Sequence, residues 1–233
     1  GFKSGGYNTL SIGEAWQPER VTNSEVGFKS TLLDGRLHLS ADAFISKYDN
    51  LQLQFTNRTP AGALVAVTTN AAKATSKGIE ANADARPTEN LLLTVGVQLL
   101  RGRFDNYVST NSLNPAPGAV DQKGNPLLRA PNLTLNFAMQ YTWPAAIGAN
   151  DVTFRFDGYH RSRIYYTAFA DPIASEKLNF LGNVQLSFAP SGDQGLYGAV
   201  FVRNITDKVY HTDILASSSA CYVGYVAPPR TFG

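Results

Sequence analysis

An all-β chain built as a transmembrane antiparallel β-barrel is what three features of this 233-residue sequence predict. Apolar and polar residues alternate over runs long enough to cross a bilayer as strands. The second face of nearly every run carries Asn, Gln, Asp, Arg or Lys. Short connections alternate with long ones. Successive side chains of a strand point to opposite faces, so alternation yields one apolar and one polar wall. A strand crosses the hydrocarbon in about 9–11 tilted residues, and membrane barrels have short turns at one end and longer loops at the other. A soluble sandwich, with apolar faces turned inward, is the competing arrangement; it has no use for so polar a second face.

Composition narrows the function classes. Charged residues are 16% of the chain, below the usual quarter or so. Net charge is +2 and no basic run exists, which argues against nucleic acid as a partner. No stretch approaches the ~18 apolar residues of a transmembrane helix, and that leaves a barrel open. The start, Gly1-Phe2-Lys3-Ser4-Gly5-Gly6-Tyr7-Asn8, has neither the charged opening nor the apolar core of a signal peptide. The chain is therefore read as a piece of a longer protein whose export signal lies outside it. The single cysteine, Cys221, is expected to be an unpaired thiol in a surface loop or to bridge to a part outside the chain.

Ten strands are expected in order. The first covers residues 1–8 and leads into a polar loop up to Arg20; the second is 21–33. Asp34-Gly35 is a tight hairpin signal. Residues 36–55 read as one strand of about 65 Å, with Leu37, Leu39, Ala41, Ala43 and Ile45 on the apolar side. Lys47 and Asp49 interrupt that side where it would leave the lipid, and Leu51, Leu53 and Phe55 resume it. After Thr59-Pro60-Ala61-Gly62 the fourth strand covers 71–86, and a turn at 87–90 precedes the fifth, with Leu91, Leu93, Val95, Val97 and Leu99 on one face.

Residues 105–130 show no period and read as the longest loop, functional or mobile. The cleanest alternation follows, over 133–143: Leu133, Leu135, Phe137, Met139, Tyr141 and Trp143 against Thr134, Asn136, Ala138, Gln140 and Thr142. A short turn from Pro144 leads to the seventh strand, with Val152, Phe154 and Phe156 opposite Thr153, Arg155, Asp157, Tyr159, Arg161 and Arg163. Leu178, Phe180, Val184, Leu186 and Phe188 mark the eighth. The ninth covers 195–204, and a last loop containing Cys221 ends at Pro228-Pro229 before a tenth strand, 230–233, begins. Aromatics gather at the short-turn ends (Tyr141, Trp143, Phe154, Phe156, Phe188, Tyr197), where an interfacial girdle would sit.

Little in the chain suggests chemistry. His38, His160 and His211 have no carboxylate or cysteine at ligand spacing, and read as solvated or wall histidines. His160 and Ser162 share the apolar side, but a hydrolase would need a third partner that is not evident. No glycine-rich phosphate loop opens a helix. The chain is not expected to be an enzyme or to hold a cofactor or resident metal. The cluster Arg161, Arg163, Tyr165 and Tyr166 stands out instead. By strict alternation Arg161, Arg163 and Tyr165 share the polar side near the long-loop end. They could hold an anionic ligand, or pair with Asp157, Glu80 or carboxylates outside the chain.

Several phrases carry a resemblance. Gly1-Phe2-Lys3-Ser4-Gly5-Gly6-Tyr7-Asn8, Pro18-Glu19, Glu25-Val26-Gly27-Phe28-Lys29-Ser30, Gly35-Arg36-Leu37 and Tyr48-Asp49-Asn50-Leu51-Gln52 come first. Ser76-Lys77-Gly78-Ile79-Glu80, Asn204-Ile205-Thr206-Asp207-Lys208-Val209-Tyr210 and Pro229-Arg230-Thr231-Phe232-Gly233 follow. In this order and at strand-length spacing the chain resembles TonB-dependent outer-membrane receptors of the siderophore type over nearly its whole length. The resemblance implies about ten C-terminal strands, roughly 13 to 22, of a 22-stranded barrel. It also implies a plug domain and a TonB-contacting segment, both outside this chain. The implied function is TonB-energised uptake of a scarce ligand, foremost a ferric siderophore, across a Gram-negative outer membrane, with Arg161, Arg163, Tyr165 and Tyr166 as candidate contacts. The implied partners are the outer-membrane bilayer, that ligand, the protein's own plug and the TonB complex. A passive porin or surface-binding barrel, or a receptor for cobalamin, haem, an oligosaccharide or an aromatic, is the alternative. Independently of the family, Asp34-Gly35, Gly78 and 204–207 read as structural positions.

Overall fold

The computed structural model describes residues 1–8, 15–58, 64–70, 73–110, 119–192, 195–218 and 221–233. Ten strands form one sheet: β1 (Phe2–Lys3), β2 (Glu19–Leu32), β3 (Leu37–Asp49), β4 (Lys73–Thr88), β5 (Leu91–Asn106), β6 (Leu133–Ile147), β7 (Asn150–Tyr165), β8 (Ser175–Pro190), β9 (Gly198–Arg203) and β10 (Thr231–Phe232). Their order in space is their order in the chain, and every pairing is antiparallel. Each of the ten expected segments contributes one of these strands.

The register lays like on like. Leu37 opposes Ala85, Ala85 opposes Leu93, Leu93 opposes Met139, and Met139 opposes Phe156; the row runs on through Val184 and Val202 to Phe232. On the other face Asp42, Glu80, Gln98, Thr134 and Arg161 make a polar row. A slip of one residue anywhere would turn a whole strand over, so one apolar and one polar face pin the register. The apolar face is open, with Ile79 and Leu99 53% and 50% exposed. From Leu91 to Leu99 on β5 the apolar set spans nine residues, about the length of a hydrocarbon crossing.

Of the short connections, the one at Asp34-Gly35 behaves as its residues predict, whereas β4 runs on through Pro87-Thr88 and leaves the next turn to Glu89-Asn90. Asp34 and Gly35 take φ values of +53° and +85°, and the Arg36 N–H donates to the Leu33 carbonyl at 3.1 Å. Positive φ at both central residues is the twist-compatible type I′ turn. Gly78 is needed because β5 comes close: a Cβ there would lie 2.4 Å from the Leu99 carbonyl oxygen. Pro144 is not in a turn. It stands in an irregularity of the β6–β7 ladder between Trp143 and Ile147, a place that tolerates a residue without an N–H, and the turn falls at Gly148-Ala149. The segment after β9 clamps the chain end. Asn204 accepts the Lys208 N–H at 2.8 Å, and Asp207 accepts the Arg230 N–H at 3.1 Å.

The long connections depart from expectation. Residues 36–55 are not one strand: β3 ends at Asp49, Asn50 turns with φ of +55°, and Gln52–Arg58 pairs with Leu64–Asn70 in a separate hairpin. The apolar alternation continues across the break because the hairpin uses the same period of two. The first connection likewise pairs Gly6–Tyr7 with Ala15–Trp16, so only Phe2–Lys3 of residues 1–8 joins the sheet. Residues 105–130 also carry structure. Asp105 and Asn106 finish β5, Val108–Thr110 pairs with Ala119–Asp121, and the following residues fold back on β5 through bonds such as Leu127 N–H to the Gly102 carbonyl. The last connection forms a hairpin from His211–Ser218 and Cys221–Val226. Cys221 is thus a strand residue; its thiol lies outside what is described.

The buried core sits at this end, not in the wall. Ala74, Phe104, Tyr107 and Ala168 cluster with Tyr48, Leu51, Leu53, Leu127 and Leu128 around them. Ile164, Tyr166, Ala174 and Ile214 form a second cluster beside Tyr222. Beyond the Asp42–Glu80–Gln98 row the polar face turns apolar, at Phe44, Tyr48, Leu100 and Phe104, and the long connections cover part of it.

Candidate functional site

The polar face carries a row of engaged groups. Arg155 grips Asp157 with Nη2 at 2.6 Å and Nε at 3.1 Å from both carboxylate oxygens, and reaches Gln140 at 3.4 Å. Glu80 accepts from Gln98 Nε2. Among the described residues neither carboxylate forms an ion pair with Arg161 or Arg163.

The four candidate residues do not share one face. β7 pairs Arg161 with Leu178 and Ile164 with Glu176, so three steps on one strand meet two on the other. The extra residue is a β-bulge, and it resets the alternation. Arg161 stays on the polar face and Ile164 and Tyr166 follow it, both buried. Arg163 and Tyr165 pass to the apolar side, where Arg163 is exposed and its Nη1 donates to Ser175 Oγ at 3.1 Å. Strict alternation had grouped Arg163 and Tyr165 with Arg161; the bulge separates them. Arg161 Nε is buried and has no hydrogen-bond partner among the described residues.

Around Arg161 and Tyr166 the long connections converge. The Tyr166 hydroxyl donates to the His211 carbonyl at 2.8 Å, and the Arg129 guanidinium lies 5.7 Å from the centre of the Tyr166 ring while pairing with Asp213 at 2.8 Å. Burial pushes the Tyr166 hydroxyl pKa up, opposed by the charge and hydrogen bond of Arg161. Glu176 Oε2 accepts both the backbone N–H and ring Nδ1 of His211, each at 2.8 Å. Burial alone would raise the Glu176 carboxyl, but these bonds and the Lys177 N–H outweigh it and hold it below the usual carboxylate value. Tyr222 donates to Asp171, and that bond, then burial, then the carboxylate charge, push its hydroxyl up to about 12.

Sequence reasoning missed this network. His211 reads as solvated because Glu176 lies far from it in the chain, and Arg129 falls in a stretch without period. A surplus of partner-capable residues in connections is the only signal there was. Ser162, one half of the weighed hydrolase pair, accepts the Leu133 N–H at 3.1 Å and so has a structural task. His38 bonds Thr31 across the β2–β3 hairpin. Among the described residues no group of His, Cys, Asp or Glu is arranged to hold a metal. What the arrangement offers is a guanidinium on the polar face that bonds Tyr166 and keeps one buried Nε without a partner among the described residues, under converging loops.

Comparison with known proteins supplies the frame for this geometry. Residues 1–200 match the family described as TonB dependent receptor-like, beta-barrel. The ferric yersiniabactin uptake receptor FyuA of Yersinia pestis superposes with a TM-score of 0.77 at 17% identity, over 100% of this chain and 32% of its own. The siderophore receptor PiuA of Acinetobacter baumannii has a TM-score of 0.68 at 18% identity, covering 93% of this chain and 28% of its own. The copper transporter OprC gives 0.62 at 15% identity, over 93% of this chain and 31% of its own. At these identities the likeness is one of fold. The chain spans about a third of the length of the receptors it matches.

Proposed function

The chain belongs to the TonB-dependent receptor β-barrel family, whose members lie in the Gram-negative outer membrane, and from that premise we propose that it is part of a receptor for TonB-energised uptake of a ferric siderophore. In this reading the ten strands are about strands 13 to 22 of a 22-stranded barrel. The apolar face meets lipid, the polar face lines the lumen around a plug domain, and the long connections face outward. The observation that carries the reading is the ten-stranded antiparallel sheet in chain order, with all its elaborated connections at one end. Likeness to two siderophore receptors supports the ligand class.

Arg161 and Tyr166 are the ligand contacts we favour from the candidate four. The buried, unpartnered Arg161 Nε supports this, since a buried donor left unpaired carries a desolvation cost that an anionic ligand or plug carboxylate would remove. Arg163 and Tyr165 would contact ligand only from loops that rise past the bulge. The likeness to a copper transporter favours one second reading, uptake of a metal in another form. Growth separates the two. A strain lacking the full-length gene should fail on ferric siderophores as sole iron source, as should a strain lacking TonB. Normal growth on every siderophore with a defect confined to copper would favour the second.

A further inference from the structure

The ion pair of Arg129 with Asp213 ties the connection before β6 to the last hairpin, and that hairpin does not depend on it for cohesion. Asp213 opposes Tyr225 and Leu215 opposes Val223, so the four share one face of the hairpin. Leu215, Val223 and Tyr225 are exposed, and this face covers no core. The opposite face is anchored by other means. Ile214 is buried with Ile164, Tyr166 and Ala174, His211 bonds Glu176, and Tyr222 donates to Asp171. The Arg129–Asp213 pair itself is largely open to water, with the two side chains 60% and 30% exposed. Pairs of that kind contribute little to stability.

Arg129 is also held in an unfavourable backbone conformation. Its φ is +54°, and among the described residues it is the only cation with a positive φ. A turn alone would be served better by glycine, which takes that conformation without strain. The backbone N–H of Arg129 donates to the Tyr165 carbonyl at 2.9 Å, and the guanidinium lies over the Tyr166 ring. Arg161 bonds the Tyr166 hydroxyl, so two guanidinium groups bracket one phenol. Among the described residues Asp213 is the only carboxylate paired with either. A chelate offering two oxygens to a guanidinium holds it better than one carboxylate oxygen does. We propose that Asp213 is an internal stand-in for the ligand's anionic group, occupying Arg129 until an anionic chelate entering beside Tyr166 displaces it. The inference rests on the uptake reading and adds to it a selection: the ligand is an anion that outcompetes a carboxylate of the receptor itself.

The test measures the affinity of the full-length receptor in detergent for ferric chelates graded in charge, from neutral ferrichrome to trianionic ferric enterobactin. Asp213→Asn keeps an oxygen for the Ile214 N–H, which donates to Asp213 Oδ1 at 2.9 Å. It is expected to bind the anionic chelates about two- to fivefold more tightly than the wild type, and the neutral ones equally. A merely structural Asp213 would lower affinity on removal, so weaker or unaltered binding of the anions overturns the proposal. So does a set in which no anionic member binds either protein. Arg129→Gly relieves the backbone strain, so it should keep the barrel's heat resistance while losing about tenfold in affinity for the anions. Asp213→Asn should add nothing in that background, and a gain that survives there also overturns the proposal. Binding in detergent needs no TonB, which separates the two readings. Normal growth of the deletion strain on every ferric siderophore sinks uptake, whereas the wrong affinity pattern sinks only the role of Asp213.

Discussion

One oxygen of Glu176 accepts two bonds from His211, from its backbone N–H and from its ring, both at 2.8 Å. That single carboxylate fastens the base of the last hairpin, His211–Ser218 with Cys221–Val226, to the start of β8. Neither half of the contact lies in the apolar wall. It is a loop-to-strand clasp, and the neighbouring Tyr166 hydroxyl closes it from the other side through the His211 carbonyl.

The clasp predicts a pH dependence. The folded Glu176 carboxyl lies below its ordinary value of 4.5, so the unfolded segment binds a proton more readily. The stabilisation is therefore fully present above pH 4.5 and is lost as pH falls through the lower folded value. Hydrogen exchange in 211–226 should accelerate below that range in the wild type. Glu176→Gln should exchange faster at neutral pH and lose most of the acid response. A wild-type profile flat down to pH 3 or so would sink the idea.

Tyr222 should titrate late. Its bond to Asp171 favours the protonated phenol, and its pKa is pushed up to about 12 from 10.0. The associated stability is full below the ordinary value and disappears as pH rises through about 12. Ultraviolet difference titration against Tyr222→Phe isolates this phenol. Asp171→Asn should bring the transition back toward the ordinary range, and an unchanged midpoint would remove Asp171 as the cause.

Neighbouring residues on β6 should respond oppositely. Phe137 packs against Phe156 and Phe180 with ring centres 5.5 Å and 6.4 Å away, whereas Asn136 faces the polar side at Gly96. Phe137→Arg should cost about 2–4 kcal/mol in folded-barrel stability, as an arginine does at mid-bilayer depth. Asn136→Ala should cost well under half that. Spin labels at the two positions should be quenched by lipid-soluble and water-soluble agents respectively; identical responses would refute the assignment of faces.

Arg161→Ala distinguishes ligand contact from scaffold. If the unpartnered Nε meets an anionic ligand, affinity should fall about ten- to a hundredfold, the equivalent of roughly 1.5–3 kcal/mol. Heat resistance of the folded barrel should change little. Lost heat resistance with unchanged affinity would hand the residue to the plug or the wall. Arg163→Ala is the built-in comparison, because the bulge sets its side chain on the other face, and it should leave affinity unaltered.

Topology is open to a direct check. An epitope inserted after Gly118, between the strands Val108–Thr110 and Ala119–Asp121, should be reached by antibody on intact cells. One inserted after Asp34, in the type I′ turn, should be silent until the outer membrane is opened. The reverse labelling would invert the chain in the membrane.

The ten strands, their order and their two faces were legible in the residues because a strand's period of two is local. Leu133 through Trp143 states it without reference to any neighbour. Asp34-Gly35 was legible for the same reason, since φ preference belongs to the residue itself. The break at Asn50 was not legible. The hairpin Gln52–Arg58 keeps the period of the strand before it, and only pairing with Leu64–Asn70 shows that the chain has left the sheet. The β7 bulge escaped likewise, because an extra residue is defined by what it fails to oppose on β8. That one residue decides that Arg161 and Arg163 part company. The contacts of Arg129 with Asp213 and of Glu176 with His211 join distant segments. By itself, then, the sequence determined the wall: the ten strands in their order, which face is apolar, and the tight turn at Asp34-Gly35, though not the turn after Pro144, which falls at Gly148-Ala149. Tertiary structure alone decided the site, because it depends on register and on loop packing, and both are relations between segments that no single segment encodes.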